Sequence, residues 1–115
     1  MAPTFELATF TVREGEADSL VAERTQMIAA LGRAFPGVLG GWLARRDDGS
    51  WVDVILWASR EEAEQAARHV NEVPEAKAWF RHIAESHGLQ HLDVAHEELF
   101  ELRRVLPDGV RHPAQ

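Results

Sequence analysis

Residues 51–57 constrain the fold more than any other part of the sequence. They read Trp-Val-Asp-Val-Ile-Leu-Trp, and an Asp-Asp-Gly-Ser turn at 47–50 joins them to a second strand-like segment at 42–46. Side chains alternate between the two faces of a strand. One face therefore carries Trp51, Asp53, Ile55 and Trp57, and the other carries Val52, Val54 and Leu56. Since both faces are largely apolar, the segment predicts a strand that is covered on both sides.

Asp53 is the leading candidate for a functional residue, because it is the one carboxylate on a face that otherwise resembles a protein interior. A buried acid needs a partner, a proton or a chemical role. The functional interpretation is a general base or substrate anchor in a pocket walled by Trp42, Trp51 and Trp57. The alternative is a structural acid paired with an arginine or with a helix amide. The sequence leaves both interpretations open.

Apolar periodicity along the rest of the chain predicts alternating strands and helices. A capping box at Ser59 and Glu62 marks the start of the second helix. The predicted elements are a strand at 5–12, a helix at 16–34, strands from 38 to 46 and at 51–57, a helix from 59 that is interrupted at 71–74 and resumes to 88, and a strand at 91–102. This βαββαβ order predicts an α+β ferredoxin-like fold, with a four-stranded antiparallel sheet and helices on one face.

The second face of the sheet, which includes Val54, has no helices to cover it in this arrangement. An apolar sheet face of that size usually marks an association surface, and two-fold symmetry is the commonest arrangement of soluble oligomers. We therefore predict a homodimer joined through the sheet faces. The length of 115 residues predicts one domain, at 1–106, followed by a flexible tail at 107–115.

Composition excludes several classes of partner. The formal net charge is −7, without a basic stripe, which makes nucleic acids and anionic membranes poor partners. There is no cysteine, which excludes thiolate metal sites and a cysteine nucleophile. The sequence shows no secretion signal and no long apolar run, so a cytoplasmic protein is expected. His91 and His96 differ by an odd number of positions on the predicted strand, which argues against a metal site there.

Several short segments together resemble the antibiotic biosynthesis monooxygenase (ABM) family of dimeric α+β barrels. The matching segments are Phe-Pro-Gly-Val at 35–38, Asp-Gly at 48–49, Val-Asp-Val at 52–54 with Trp57, Ser-Arg-Glu-Glu-Ala at 59–63, and Pro74 followed by Phe80. The resemblance covers roughly residues 5–102. It implies a dimeric barrel with a small-molecule pocket between the sheet and the helices of each subunit.

The resemblance also implies candidate site residues. Quinone-forming oxygenases of the family have an asparagine in the middle of the third strand and a tryptophan that closes it, at positions similar to Asp53 and Trp57. The haem-degrading branch has an asparagine on the first strand, which is missing at 5–12, so we predict no cofactor. Aromatic side chains suited to stacking on a flat apolar substrate are Trp42, Trp57, Trp79 and Phe80.

Two histidines, His82 and His96, are candidate proton shuttles, because an imidazole ordinarily titrates near neutrality. His82 is assigned a catalytic role and His96 a substrate-binding role. Two functions remain open. The first is a cofactor-independent monooxygenase in which Asp53 accepts a proton from a small apolar or aromatic substrate. The second is a non-catalytic dimeric module whose pocket is filled or binds a metabolite without turnover.

Overall fold

A computed structural model describes residues 2–100 of the chain. The strands are β1 (Thr4–Val12), β2 (Val38–Arg45), β3 (Trp51–Trp57) and β4 (Ile83–Asp93). The helices are α1 (Ala17–Ala22), α2 (Arg24–Ala34), α3 (Arg60–His69) and α4 (Pro74–Phe80), with a 3₁₀ turn at Val70–Glu72 between the last two. The predicted tail at 107–115 lies outside the described residues, and so do the last two residues of the predicted strand at 91–102.

The four strands form one antiparallel sheet in the order β2-β3-β1-β4. The first strand lies in the middle of the sheet, between β3 and β4, although β4 is the last strand in the sequence. This order and the βαββαβ sequence of elements confirm the predicted ferredoxin-like α+β fold. No helix among residues 2–100 is both long and apolar enough to cross a membrane.

The helices cover the face of β3 that carries Trp51, Asp53, Ile55 and Trp57, and all four residues are buried. The residues directly opposite them on β1 extend this inner face toward β4. Two clusters of apolar side chains form the core between this face and the helices, and each includes residues of β3. The alternation at 51–57 therefore predicted the buried face correctly.

The outer face of the sheet has no helix against it. Trp42 lies opposite Val54 in the register of β2 and β3, and its side chain is 54% exposed. Leu92 of β4, opposite Phe5 of β1, is also exposed. This surface is the apolar face that the sequence predicted.

Ser59 caps α3 as predicted. Its hydroxyl accepts a hydrogen bond from the Glu62 amide at 3.2 Å and donates one to the Glu62 carboxylate at 3.1 Å. The Glu62 carboxylate thus accepts from the Ser59 hydroxyl, whereas in a standard capping box it accepts from the backbone amide of the capping residue. The predicted interruption before α4 is also present, as the 3₁₀ turn.

Three predicted boundaries are wrong, and contacts distant in sequence explain the first two differences. The predicted helix at 16–34 divides at Glu23, whose carboxylate bonds His82 and Arg81. The helix expected to continue to residue 88 ends at Phe80, because Ile83 onward pairs with β1. The last strand ends at Asp93, so 94–100 are not strand.

Candidate active site

A cavity of about 230 Å³ lies between the inner face of the sheet and the helices. Its helical side is apolar, with contributions from α2, α3, the 3₁₀ turn and α4. It stays open because several of its lining residues are too small to fill it, namely Ala8, Ala66, Ala67 and Gly88. On the sheet side it is lined by three polar residues, Glu6, Asp53 and Ser86. An apolar cavity with a few polar groups on one wall is the usual form of a small-molecule site.

Trp57 closes β3 and lines this cavity. Its side chain is 1% exposed, and its indole packs edge to face against Phe35 with ring centroids 6.2 Å apart. The indole Nε1 is buried without a hydrogen-bond partner among residues 2–100. Buried polar groups are nearly always paired, so this unpaired N–H is a candidate donor to an acceptor on a bound molecule or to a water. Trp57 therefore forms part of the cavity wall.

Asp53 also lines the cavity, and it forms an ion pair with Arg24 of α2. The Arg24 Nη2 atom lies 2.5 Å from Asp53 Oδ1, and the two side chains are only 12% and 11% exposed. The guanidinium also lies 5.1 Å from the centre of the Trp79 ring. The structure therefore contains the arginine partner that the structural interpretation of Asp53 requires. Asp53 also lines the cavity that the functional interpretation requires.

Gly41 allows Arg24 to reach the sheet. A Cβ atom at this position of β2 would lie 3.4 Å from Arg24 Nη2 and 3.2 Å from the Ile28 side chain, so a larger residue would crowd both. The register of β2 against β3 also shifts between Val38 and Gly40, which marks a bulge. Gly41 thus allows the close approach, and the bulge lies at Leu39, just before the two glycines.

A second paired acid, Glu6 with His91, lies at the same wall of the cavity. The sequence did not predict this pair. Glu6 of β1 lines the cavity, and its Oε2 lies 2.8 Å from His91 Nε2 on β4. The two side chains are 13% and 14% exposed. The signal was available, because Glu6 shares the face of β1 that carries Ala8 and Phe10, and both of these lie opposite inner-face residues of β3. The argument that selected Asp53 applies equally to Glu6.

His82 is buried outside this cavity. Its Nδ1 lies 2.7 Å from Glu16 and its Nε2 lies 2.9 Å from Glu23. The hydrogen bond that His82 donates to Glu23 raises the pKa of His82 above its ordinary value, burial opposes this effect, and the bond donated to Glu16 adds to it. Its two nitrogens are occupied by protein carboxylates, and it does not line the cavity. The structure therefore places His82 away from the cavity, where it ties the end of α4 to α1 and α2.

The remaining predicted substrate-binding residues divide between the cavity and other locations. Phe80 lines the cavity. Trp79 is buried beside it, but its indole packs in the core and donates to the Leu20 carbonyl at 2.8 Å. Trp42 projects from the opposite face of the sheet, and His96 follows β4 with its side chain 77% exposed. The structure thus places Trp42 and His96 away from the cavity, and Trp79 in the core next to Phe80 of its wall.

The structure and the sequence were compared with known proteins. No protein-family model matches the sequence, and no curated protein does. Solved structures do match. A protein from Chloroflexus aurantiacus described as an antibiotic biosynthesis monooxygenase has a TM-score of 0.62 at 18% identity, over 84% of this chain and 97% of its own.

Two further matches cover a similar share of the chain. SnoaB, a cofactor-independent oxygenase from Streptomyces nogalater, matches in a mutant form with a TM-score of 0.61 at 23% identity, over 88% of this chain and 100% of its own. A dimeric ferredoxin-like protein from an uncultured marine organism matches with a TM-score of 0.60 at 10% identity, over 88% and 95%. The chain therefore has the fold of the antibiotic biosynthesis monooxygenases.

Proposed function

We propose that this chain, which has the fold of the antibiotic biosynthesis monooxygenases, is a cofactor-independent oxygenase for a small aromatic hydroxy compound. The observation that carries the proposal is the apolar cavity between sheet and helices, with its polar groups gathered on the sheet wall. Its likeness to SnoaB supports the same class of reaction. At about 230 Å³ the cavity is slightly smaller than sites for drug-sized ligands, so the substrate is expected to be one small ring system.

The residues around the cavity have the chemistry that such a reaction requires. The unpaired Trp57 N–H can donate to an oxygen of the substrate, and Phe80 offers an aromatic surface for its ring. A carboxylate must accept the substrate hydroxyl proton, because an electron-rich phenolate is what reduces O₂ without a cofactor. Asp53 and Glu6 both line the cavity and are the two candidates for this acceptor.

A non-catalytic binding module is the second candidate function. It is favoured by the pairing of both acids, since Asp53 is bound to Arg24 and Glu6 to His91. Such a protein would bind an aromatic molecule in the same cavity and leave it unchanged. Oxygen consumption separates the two functions, because only the oxygenase removes O₂ when the ligand is added.

The decisive experiment combines ligand binding with an oxygen electrode. Purified protein is screened with naphthols and dihydroxynaphthalenes by thermal shift, and binders are tested for O₂ uptake. Ala66→Leu places a larger side chain in the cavity, and Ala29→Leu makes the same change at an exposed position of α2. We expect Ala66→Leu to abolish binding and Ala29→Leu to preserve it. Equal binding by both variants would show that the ligand lies elsewhere.

Trp57→Phe tests the donor within the cavity. The substitution keeps an aromatic ring but removes the N–H, and a hydrogen bond of about 1 kcal/mol corresponds to roughly a fivefold loss of affinity for a hydroxylated ligand. The affinity for an aromatic hydrocarbon of the same size should change little. If both ligands lose affinity equally, the indole acts only through its packing.

We also propose that two copies associate through the outer face of the sheet. Trp42 and Leu92 are exposed on this face, and the marine ferredoxin-like protein of the same fold is dimeric. Val54→Arg places a charge in the middle of the face, and Val21→Arg is a matched control at an exposed position of α1. Light scattering should show a dimer for wild type and Val21→Arg and a monomer for Val54→Arg. A monomeric wild type would refute the proposal.

A further inference from the structure

We infer that Glu6 is the catalytic proton acceptor of the cavity and that His91 positions it. This inference rests on the proposed function, and it assigns the base to one of the two carboxylates that line the cavity. Three features of the structure carry it: the register that brings Glu6 and His91 together, the bonds that hold the His91 backbone, and the difference in charge balance between the two acidic pairs.

The sheet register brings the Glu6 carboxylate and the His91 imidazole together. Glu6 is directly opposite His91 in the pairing of β1 and β4, and Nε2 lies 2.8 Å from Oε2. A carboxylate can only accept a hydrogen bond, so the proton in this bond belongs to His91 Nε2. The imidazole therefore fixes one carboxylate oxygen of Glu6, and Glu6 itself lines the cavity whereas His91 does not.

The backbone that carries His91 is held by side chains from α3 and β1. Arg60 Nη2 donates to the His91 carbonyl at 3.0 Å, and Arg60 Nε donates to Asp93 at 3.1 Å. The Thr4 hydroxyl donates to the same Asp93 oxygen at 3.0 Å. Residues that fix a catalytic group in this way support catalysis through geometry, since a base must be held within hydrogen-bond reach of its proton.

The charge balance separates Glu6 from Asp53. A proton on Asp53 would remove the counter-charge of Arg24, whose guanidinium is nearly buried and already has an unpaired Nη1 atom among the described residues. A buried charge that loses its partner is strongly destabilising. The partner of Glu6 is an imidazole, which can donate its Nε2–H without carrying a charge, whereas the partner of Asp53 is a permanent cation. Asp53 is therefore needed as the counter-ion of Arg24, and we assign the role of proton acceptor to Glu6.

O₂ is the only oxidant that the proposed reaction needs. Glu6 takes the hydroxyl proton of the substrate, and the resulting phenolate gives one electron to O₂, after which the two radicals combine to form a carbon–oxygen bond. The protonated Glu6 returns its proton to the peroxide oxygen. Glu6 then removes the proton from the same ring carbon while the O–O bond breaks, and the released hydroxide takes that proton. The products are a quinone and water, and Glu6 is regenerated.

The test uses two probes, 2-naphthol, whose naphtholate form has its own absorbance band, and 2-methoxynaphthalene, which cannot ionise. We expect bound 2-naphthol to ionise on the wild type at a pH where the free compound is neutral. Glu6→Gln should lose the naphtholate band and still bind 2-methoxynaphthalene. O₂ uptake with a turned-over substrate should fall by about 100-fold or more. Glu14→Gln, an exposed acid in the turn after β1, is the matched control and should behave as wild type.

Two further variants separate the alternatives. Asp53→Asn should keep the naphtholate band, and if it does not fold, the double variant Arg24→Met/Asp53→Asn replaces it. His91→Gln keeps an N–H donor and should retain the band, whereas His91→Leu should lose it without losing 2-methoxynaphthalene. A band that persists in Glu6→Gln, or one that only the Asp53 variants lose, overturns the inference alone. A wild type that binds neither probe overturns the proposed function and the inference with it.

Discussion

The ion pair between Arg24 and Asp53 gives the sharpest stability prediction. Asp53→Asn keeps the size of the side chain and removes its charge, which leaves the Arg24 guanidinium nearly buried without a counter-ion. Removing one partner of a buried pair costs about 3–5 kcal/mol. Since the side chains keep 12% and 11% of their exposure, we expect the lower end of this range, about 3 kcal/mol. This corresponds to a fall in Tm of about 12 °C for a domain of this size.

A double-mutant cycle isolates the pair from its surroundings. Arg24→Met leaves Asp53 uncompensated and removes the guanidinium from the Trp79 ring, so it should also cost about 3 kcal/mol. The double variant strands no charge, and we expect it to cost about 2 kcal/mol, not the sum of about 6, which is a coupling of about 4 kcal/mol. The assay is urea unfolding followed by circular dichroism, at one protein concentration because association contributes to stability.

A surface pair provides the control for this cycle. Arg33 and Glu75 lie 3.7 Å apart, and their side chains are 68% and 36% exposed, so Glu75→Gln should change the free energy of unfolding by less than about 1 kcal/mol. If Asp53→Asn lowers the free energy of unfolding no more than Glu75→Gln does, the pair of Arg24 and Asp53 contributes no more to stability than an exposed pair. Asp53 would then be free to accept a proton as readily as Glu6.

Three other predictions concern residues outside the cavity. The pKa of His82 is raised above its ordinary value of 6.5, chiefly by its hydrogen bond to Glu23, so the stability it contributes is fully present below pH 6.5 and is lost as the pH rises through the folded-state pKa. The Tm of the wild type should therefore fall more above pH 6.5 than that of His82→Gln, and parallel curves would contradict this. Ser59→Ala removes the cap of α3 and should cost about 1 kcal/mol in urea unfolding, whereas a neutral result would mean that the cap is replaced by water. Trp79→Phe leaves the Leu20 carbonyl without its buried donor, and we expect a cost of about 1–3 kcal/mol in the same assay, with a smaller value indicating that the carbonyl finds another donor.

The sheet was predictable because its strands carry their own period. The alternation at 51–57 identified the buried face, and the capping box at Ser59 identified the start of α3. The helix ends were less predictable, because long-range contacts decide them. Residues 83–87 have a sequence compatible with a helix, and they form strand because β1 pairs with Ile83, Glu85 and Ser86. Local propensity yields to such pairing whenever the neighbouring strand has a free edge.

The candidate site was predictable only in part, for the same reason. Asp53 and Trp57 belong to one strand, so the period of that strand placed both on the inner face. Trp42 lies on the outer face because Arg45 pairs with Trp51, and this register, which is regular from Arg45 to Gly40, puts Trp42 opposite Val54. The partner of Asp53 could not be inferred, since Arg24 reaches it from a helix 29 positions away in the sequence. The alternation along a strand identifies the side chains that share a face. It does not identify the side chains of other elements that contact this face.

The bulge in β4 shows why the Glu6–His91 pair needed the structure. Ser86 lies opposite Phe10 on the inner face, and the next inner residue is Leu89, opposite Ala8, three positions later. On a regular strand, residues that face the same side are separated by an even number of positions, so the register shift reverses the alternation. Gly88 at this point has a φ of 132°, a conformation that other residues rarely adopt. By strict alternation from Ser86, His91 would face outward, away from Glu6. The bulge in β4 therefore turns the imidazole of His91 toward the carboxylate of Glu6. Gly88 allows the backbone conformation at this bulge and so contributes to the position of the proposed proton acceptor.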